Sequence, residues 1–165
     1  MSQDTSLRSF TGLLAWQKCR EIRKAIAVLT KSWPADEKYR LVDQILRSSR
    51  APCANIAEGY GRYHENDNAR FCRMARGSLY ETLDHLSAAF DAGLVDNDTL
   101  KEHWRRVEEA IRVLNGYVRY LKGIDAGSTA SEPMPPYGND EPIFADQLAS
   151  SIPPDLTTAQ DRPHA

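Results

Sequence analysis

The sequence lacks any apolar stretch near the ~20 residues that a helix needs to cross a lipid bilayer. Its N-terminus also lacks the basic start and apolar core of a signal peptide. Mean hydropathy is −0.55, and 41% of the 165 residues are hydrophobic. We therefore expect a cytoplasmic protein without membrane contact, folded as one compact domain rather than two large ones.

Cysteine and histidine are scarce, and neither recurs at a metal-ligand spacing. All three cysteines fall inside helical patterns, which predicts reduced, buried thiols rather than a disulfide framework. We expect no metal and no cofactor on these side chains. They are Cys19, Cys53, Cys72, His64, His85, His103 and His164.

Proline is nearly absent before residue 123, where Pro34 and Pro52 are the only two of the nine. No segment there shows the alternation of a β-strand, whereas apolar residues recur at three- and four-residue steps. The pattern predicts an all-α fold, an antiparallel up-down four-helix bundle over residues 13–123, after an N-terminal arm at 1–12. The predicted helices cover residues 13–32, 36–61, 65–92 and 99–123.

Local signals set the ends and the shape of these helices. Pro34 ends the first helix, because the residue before a proline is pushed out of helical geometry. Pro52 removes one backbone hydrogen bond and predicts a bend in the second helix. Thr99 and Glu102 stand at the spacing of a capping box, which predicts the start of the fourth.

Residues 124–165 form a different segment, rich in proline, glycine, serine and aspartate. Residues 1–124 contain 20 Lys and Arg against 16 Asp and Glu, whereas residues 125–165 contain 1 against 7. Such a composition buries too little apolar area to offset the entropy of ordering, so we expect a disordered acidic tail. Alternatively, the tail covers a basic surface or recruits a partner, and its deletion should then tighten nucleic-acid binding.

The segment 44–62 places two different rows of side chains on one helix. An apolar row lies beside a row of small and polar residues, which suits close helix–helix contact with specific hydrogen bonds, within or between subunits. The apolar row is Leu41, Ile45, Ser49, Pro52 and Ile56, and the small and polar row is Gln44, Ser48, Ala51, Asn55 and Glu58.

Several motifs along the chain together resemble a known family. They are Leu14-x-Trp16-Gln17, Pro34-x-x-Glu37, Gln44 through Arg62 with Asn55-Ile56-Ala57-Glu58-Gly59 and Gly61, Arg70-Phe71, Ala75, and Gly77-Ser78-Leu79-x-Glu81. With them the chain resembles the four-helix-bundle family encoded in intervening sequences of bacterial 23S ribosomal RNA genes. It is similar also to the accessory variability determinant of diversity-generating retroelements. It departs from the family at Arg50 and Pro52-Cys53, where many members have a small residue, Ile and Pro.

The resemblance implies a homo-oligomer, a five-fold ring with a basic surface that binds RNA or an RNA-dependent enzyme, and no established enzymatic activity. Gly77 supports an oligomer independently: it falls on the outer side of the third helix, where glycine costs ~1 kcal/mol relative to alanine. The close approach of another helix would explain a glycine at this position. The alternative is that a surface glycine is simply tolerated there. The predicted structural or interface residues are Gln44, Asn55, Glu58, Gly59, Gly77, Ser78 and Glu81.

A catalytic role for Glu58, as a base beside Ser78 or Glu81, is the sharper interpretation of these polar residues. A nucleophile needs a base within hydrogen-bond reach and a third group that orients the base, and the sequence offers no such set. We therefore predict no catalytic residues and no enzyme. Asn55 and Glu58, with Gln44, are expected instead to form a buried polar cluster that fixes the register in which the helices pack.

Basic residues provide the candidate nucleic-acid contacts. Most are arginines, whose planar guanidinium suits two-point contacts with phosphate. Tyr60, Tyr63 and Tyr80 lie nearby and could stack on unpaired bases. A solvated face with pairs such as Glu108–Arg112 is the alternative. The predicted contact residues are Arg47, Arg50, Arg62, Arg70, Arg73, Lys101, Arg105, Arg112 and Arg119.

Three functions remain open from the sequence. The first is an oligomeric protein that binds RNA, or RNA and DNA, through phosphates, with affinity that falls steeply with salt. The second is a protein-interaction module that docks a reverse transcriptase or another partner. The third is a structural oligomer without affinity for polyanions.

Overall fold

The computed structural model describes residues 9–62 and 64–125 of the chain. Its four long helices are α1 (Leu14–Leu29), α2 (Asp43–Gly61), α3 (Glu65–Asp91) and α4 (Asn97–Asp125). All regular structure in these ranges is helical, which confirms the all-α prediction with four helices. Residues 124 and 125, predicted as the start of the acidic tail, belong to α4, and the rest of the predicted tail and most of the N-terminal arm lie outside the described residues.

The connection from α1 to α2 is more elaborate than the sequence predicts. Trp33 is extended at φ −78° and ψ 149°, as the following proline requires. A 3₁₀ turn (Ala35–Glu37) and a π-helical turn (Lys38–Val42) then precede α2. Regular α-helix thus begins later than the predicted start at residue 36, because hydrophobic spacing does not distinguish these turns from α-helix.

The capping box predicted for the fourth helix is wrong. The backbone N–H of Thr99 donates to Asp96 Oδ1 at 2.8 Å, so Asp96 caps α4. Glu102 accepts a hydrogen bond from Arg106 at 2.6 Å instead of turning back to the helix start. Aspartate is at least as good an N-cap as threonine, and it stands one turn earlier in the chain.

The core lies between the four helices, each of which contributes buried apolar side chains at helical spacing. Helix α1 packs against α2 and α4, and α3 packs against the same two helices. Helix α2 continues through Pro52, whose ring is fully buried; the bend there stays a prediction. Fully buried side chains include Cys19, Ile26, Ile45, Ile56, Leu79, Leu86, Val107 and Leu114.

Helices α2 and α3 approach closely through small and polar side chains. A Cβ atom added to Gly59 would lie 2.8 Å from Phe71 Cβ and 3.0 Å from Asn68 Oδ1. Farther along, the hydroxyl of Thr82 lies 3.0 Å from that of Ser48, and both residues are buried. The order of these contacts is opposite along the two helices. The predicted close contact through the segment 44–62 is confirmed at Ser48 and Gly59.

Candidate nucleic-acid interface

The nine predicted contact residues lie on the outside of the helices. All eight arginines are exposed and Lys101 is partly buried. Eight of the nine fall into groups that differ in the number of acidic side chains around them. The ninth, Arg50, is exposed on α2.

Two of the arginines on α2 and at its end already have acidic partners. Arg47 lies 3.6 Å from Asp43, and Arg62 lies 2.6 Å from Glu58. The hydrogen bond with Glu58 raises the pKa of Arg62. The Arg62 guanidinium also lies 5.2 Å from the ring centroid of Phe71. These contacts stay within the subunit, so Arg47 and Arg62 are weaker candidates than the sequence predicts.

Lys101 and Arg105 lie in the acidic half of α4. The ion pair between Glu102 and Arg106 is 2.6 Å long, and its hydrogen bond lowers the pKa of Glu102. Glu108 accepts a hydrogen bond from the indole of Trp104 at 3.2 Å. Residues 97–109 contain three basic and four acidic side chains. Their fields largely cancel at distances beyond about 10 Å.

A second group of basic residues lies in segments without any acidic residue. Residues 68–80 of α3 and 110–123 of α4 contain no Asp or Glu. Two hydrogen bonds hold these segments side by side, from Asn68 to Tyr117 at 2.9 Å and from Arg76 to Asn115 at 3.1 Å. We call their basic residues the basic band: Arg70, Arg73, Arg76, Arg112, Arg119 and Lys122.

The structure therefore adds Arg76 and Lys122 to the predicted residues. The absence of acidic residues from 68–80 and 110–123 is visible in the sequence, but the two runs become one surface only because α3 and α4 pack together. The rest of these helices carries the opposite sign, since residues 81–91 contain three acidic residues and no Lys or Arg. The helix pair therefore has a basic end and an acidic end. The first turn of α3, beside the basic end, is an exception because it contains Glu65 and Asp67.

The tyrosines near this surface differ from those predicted. Tyr60 is partly buried, Tyr80 is 37% exposed, and Tyr63 lies outside the described residues. Tyr120 is 63% exposed and stacks on Tyr117, with ring centroids 6.4 Å apart and planes 20° from parallel. Burial raises the pKa of Tyr117, and the hydrogen bond that its hydroxyl makes with Asn68 acts in the opposite direction.

The predicted buried polar cluster is wrong for the single chain. Gln44 and Glu58 are exposed, Asn55 is only partly buried, and the Glu58 carboxylate pairs with Arg62. Charged and amide side chains stay in water here because the small residues Ser48 and Gly59 make the close contact with α3. Whether these residues contact another subunit stays a prediction.

The outer face of α3 carries the predicted interface residue Gly77. It is exposed, and no atom lies within 4 Å of an added Cβ. Met74 and Tyr80, one turn to either side, are 49% and 37% exposed. Ser78 donates to the carbonyl of Met74 at 3.4 Å, and Glu81 lies 3.7 Å from His85 Nε2. This face therefore combines apolar side chains with a glycine.

The residues of the catalytic alternative are far apart. Gly59, next to Glu58, lies against Asn68, whereas Ser78 is ten residues farther along α3, about 15 Å at the rise of an α-helix. Residues 9–62 and 64–125 contain no group of three His, Cys, Asp or Glu side chains that could hold a metal ion. In the same ranges no helix is both long and apolar enough to cross a bilayer.

Comparison of the sequence with protein families matches the chain to one of them. The profile described as "23S rRNA-intervening sequence protein" matches residues 11–116. The chain belongs to this family. The match extends from the turn before α1 into the second half of α4, so Arg119, Tyr120 and Lys122 lie beyond it. Comparison with curated proteins gave no match.

Proposed function

We propose that this member of the 23S rRNA-intervening sequence protein family is a non-enzymatic, oligomeric protein that binds nucleic acid, preferably RNA, through phosphate contacts. The observation that supports it is the basic band, in which six basic side chains lie on two adjoining helical segments without an acidic residue. Exposed guanidinium groups in such a field attract a polyanion and release its counterions.

The positions of the arginines favour the band over the other basic residues. Arg112 and Arg119 are seven residues apart on α4, so they share one face at a separation of about 10.5 Å. Among the residues that the structure describes, neither has an ion-pair partner, and the same holds for Arg70 and Arg73. Binding phosphate there costs no existing salt bridge.

Oligomerisation is the second part of the proposal. We infer an up-down antiparallel bundle that assembles with itself, as a pentameric ring, through the face around Gly77. Its support is the exposed apolar pair Met74 and Tyr80 beside a mid-helix glycine. Arg73 lies one turn before Gly77 and would border this interface, so Arg112 and Arg119 on α4 are the phosphate contacts that a ring would repeat.

The decisive experiment measures binding of the full chain to a structured RNA between about 50 and 200 mM salt, with mass measured in the same samples. Arg112→Glu/Arg119→Glu is the test variant. Lys24→Glu/Lys31→Glu, on exposed positions of α1 and of the 3₁₀ turn that follows it, is the matched control with the same change in net charge. We expect the affinity to fall steeply with salt, and the test variant to lose far more affinity than the control.

Equal losses in the two variants would mean that only net charge matters, and unchanged affinity in both would remove the phosphate contacts. A protein that forms a defined oligomer but ignores RNA and DNA at low salt would overturn the proposed function. A chain that stays monomeric would overturn the ring.

The alternative is an accessory role in which the protein docks a reverse transcriptase or another protein, as in diversity-generating retroelements. A groove between α1 and α4 favours a protein partner, since Ala25, Val28 and Leu29 line it and Val28 is 67% exposed. A reverse-transcriptase gene beside this one, with co-purification of the two products, would support this alternative.

A further inference from the structure

Tyr120 is the most exposed tyrosine beside the basic band, and a glycine lies one turn before it and one turn after it on α4. Side chains of a helix lean toward its N-terminus, so the ring of Tyr120 is directed toward the turn at residues 116–117 without covering Gly116. Tyr117 stacks against the ring, whereas the neighbour one turn back on the other side is Gly116. One turn ahead lies Gly123, again without a side chain.

Gly116 leaves a gap on this surface. No atom lies within 4 Å of a Cβ added to Gly116 or to Gly123. Apart from proline, glycine is the least favourable residue in a helix interior, and no contact within the described chain explains it at position 116. A helix position without a side chain between exposed residues allows another molecule to approach the backbone.

The gap is bordered by positive charge. Arg112 lies one turn before Gly116, and Arg119 is the neighbour of Tyr120; both are exposed. Arg112, Gly116 and Tyr120 are four residues apart and therefore form one row along α4. The row presents a cation, a gap and an aromatic ring, in that order. An aromatic ring beside cations is the arrangement that binds unpaired bases, with stacking for the base and guanidinium groups for the phosphates.

We infer that the gap at Gly116 receives an unpaired nucleobase of a single-stranded RNA, which stacks on Tyr120 while Arg112 and Arg119 hold the adjacent phosphates. This inference rests on the proposed nucleic-acid binding and adds a preference for single strands. Duplex RNA keeps its bases paired and stacked inside the helix, so it meets the arginines but not the ring.

The test compares two probes with the full chain at low salt: a labelled oligouridine of about 20 nucleotides, and an RNA duplex of the same length. Tyr120→Ala removes the ring, and Gly116→Leu fills the gap without changing charge. Tyr120→Phe keeps the ring, and Tyr39→Ala is the control at another exposed tyrosine, in the π-helical turn before α2. Each sample is also measured for mass.

We expect Tyr120→Ala and Gly116→Leu to weaken oligouridine binding about tenfold or more and to change duplex binding by less than about twofold. Tyr120→Phe and Tyr39→Ala should bind like the wild type. Unchanged oligouridine binding in both test variants, or equal losses for the two probes, would overturn the inference. A change of mass in either variant would also overturn it, because the gap would then hold a second copy of the chain.

The wild type separates this inference from the proposed function. If the duplex bound with salt dependence and oligouridine did not bind, the base-stacking site would be ruled out and the phosphate-binding proposal would stand. If neither probe bound, both the base-stacking site and the phosphate-binding proposal would be ruled out.

Discussion

Asn68 donates a hydrogen bond from its side-chain amide to the hydroxyl oxygen of Tyr117, 2.9 Å away, and so joins the start of α3 to the end of α4. Asn68 is buried, and its Oδ1 lies 3.6 Å from the Cys72 thiol, which donates to it. The same amide oxygen lies against Gly59 of α2. One side chain thus connects three helices at the end where the basic band lies.

Tyr117→Phe should therefore destabilise the fold. The substitution removes the acceptor of a buried amide, and we expect a loss of about 1 kcal/mol in the free energy of unfolding. Urea unfolding monitored by circular dichroism measures it, with Tyr120→Phe as the control at an exposed hydroxyl. If Asn68→Ala and Tyr117→Phe proved fully additive in the double variant, the two side chains would not be coupled.

Gly59→Ala and Gly77→Ala should change stability in opposite directions. The new methyl at position 59 would lie 2.8 Å from Phe71 Cβ, so α2 and α3 must separate, at a cost of about 1–3 kcal/mol. At position 77 the methyl meets nothing, and the gain in helix propensity is up to ~1 kcal/mol. Chemical unfolding of both variants at low protein concentration gives the comparison. Equal effects would refute the close approach at Gly59.

Gly77→Leu should dissociate the proposed oligomer. A leucine there would hold a second helix away from the face that Met74 and Tyr80 share with the glycine. Sedimentation or mass photometry should show smaller species for this variant. Ala88→Leu adds the same side chain at another exposed position of α3 and should keep the wild-type mass. An unchanged assembly in Gly77→Leu would place the interface elsewhere.

The cap of α4 should make stability depend on acid pH. Hydrogen bonds from Thr99 lower the pKa of Asp96. Because the folded pKa is below the unfolded one, the carboxylate contributes stability above the unfolded pKa of about 3.9, and this contribution is lost as pH falls through the folded value. Asp96→Ala should lower Tm at pH 7, and its difference from wild type should shrink below about pH 4. A difference independent of pH would exclude the charged cap.

The three cysteines should resist modification in the folded protein. Burial raises the pKa of Cys72 to about 12, and it raises the pKa of Cys19 and Cys53 as well. Thiolate, the reactive form, is then rare at pH 8 and shielded from reagent. Ellman's reagent should find all three thiols in urea and almost none in native buffer. A thiol that reacts at once in native buffer would contradict the buried core position.

Two of the predicted helix ends rest on local signals that the structure bears out. Pro34 predicts the end of the first helix, and Trp33 is extended there. The α3 helix ends before Gly93, which adopts φ +69° as a glycine at a helix end does. The cap of α4 was missed because Asp96 and Thr99 present equivalent local signals, and only the hydrogen bond decides between them.

What the sequence by itself determined is the set of four amphipathic helices, since the period of apolar residues and the end signals are properties of neighbours in the chain. Tertiary structure decided the candidate site. Packing of α3 on α4 joined Arg70, Arg73 and Arg76 to Arg112, Arg119 and Lys122. The packing also left Tyr120 as the exposed aromatic ring beside these basic residues. Each of these outcomes depends on which distant residues become neighbours, and helical periodicity does not contain that information.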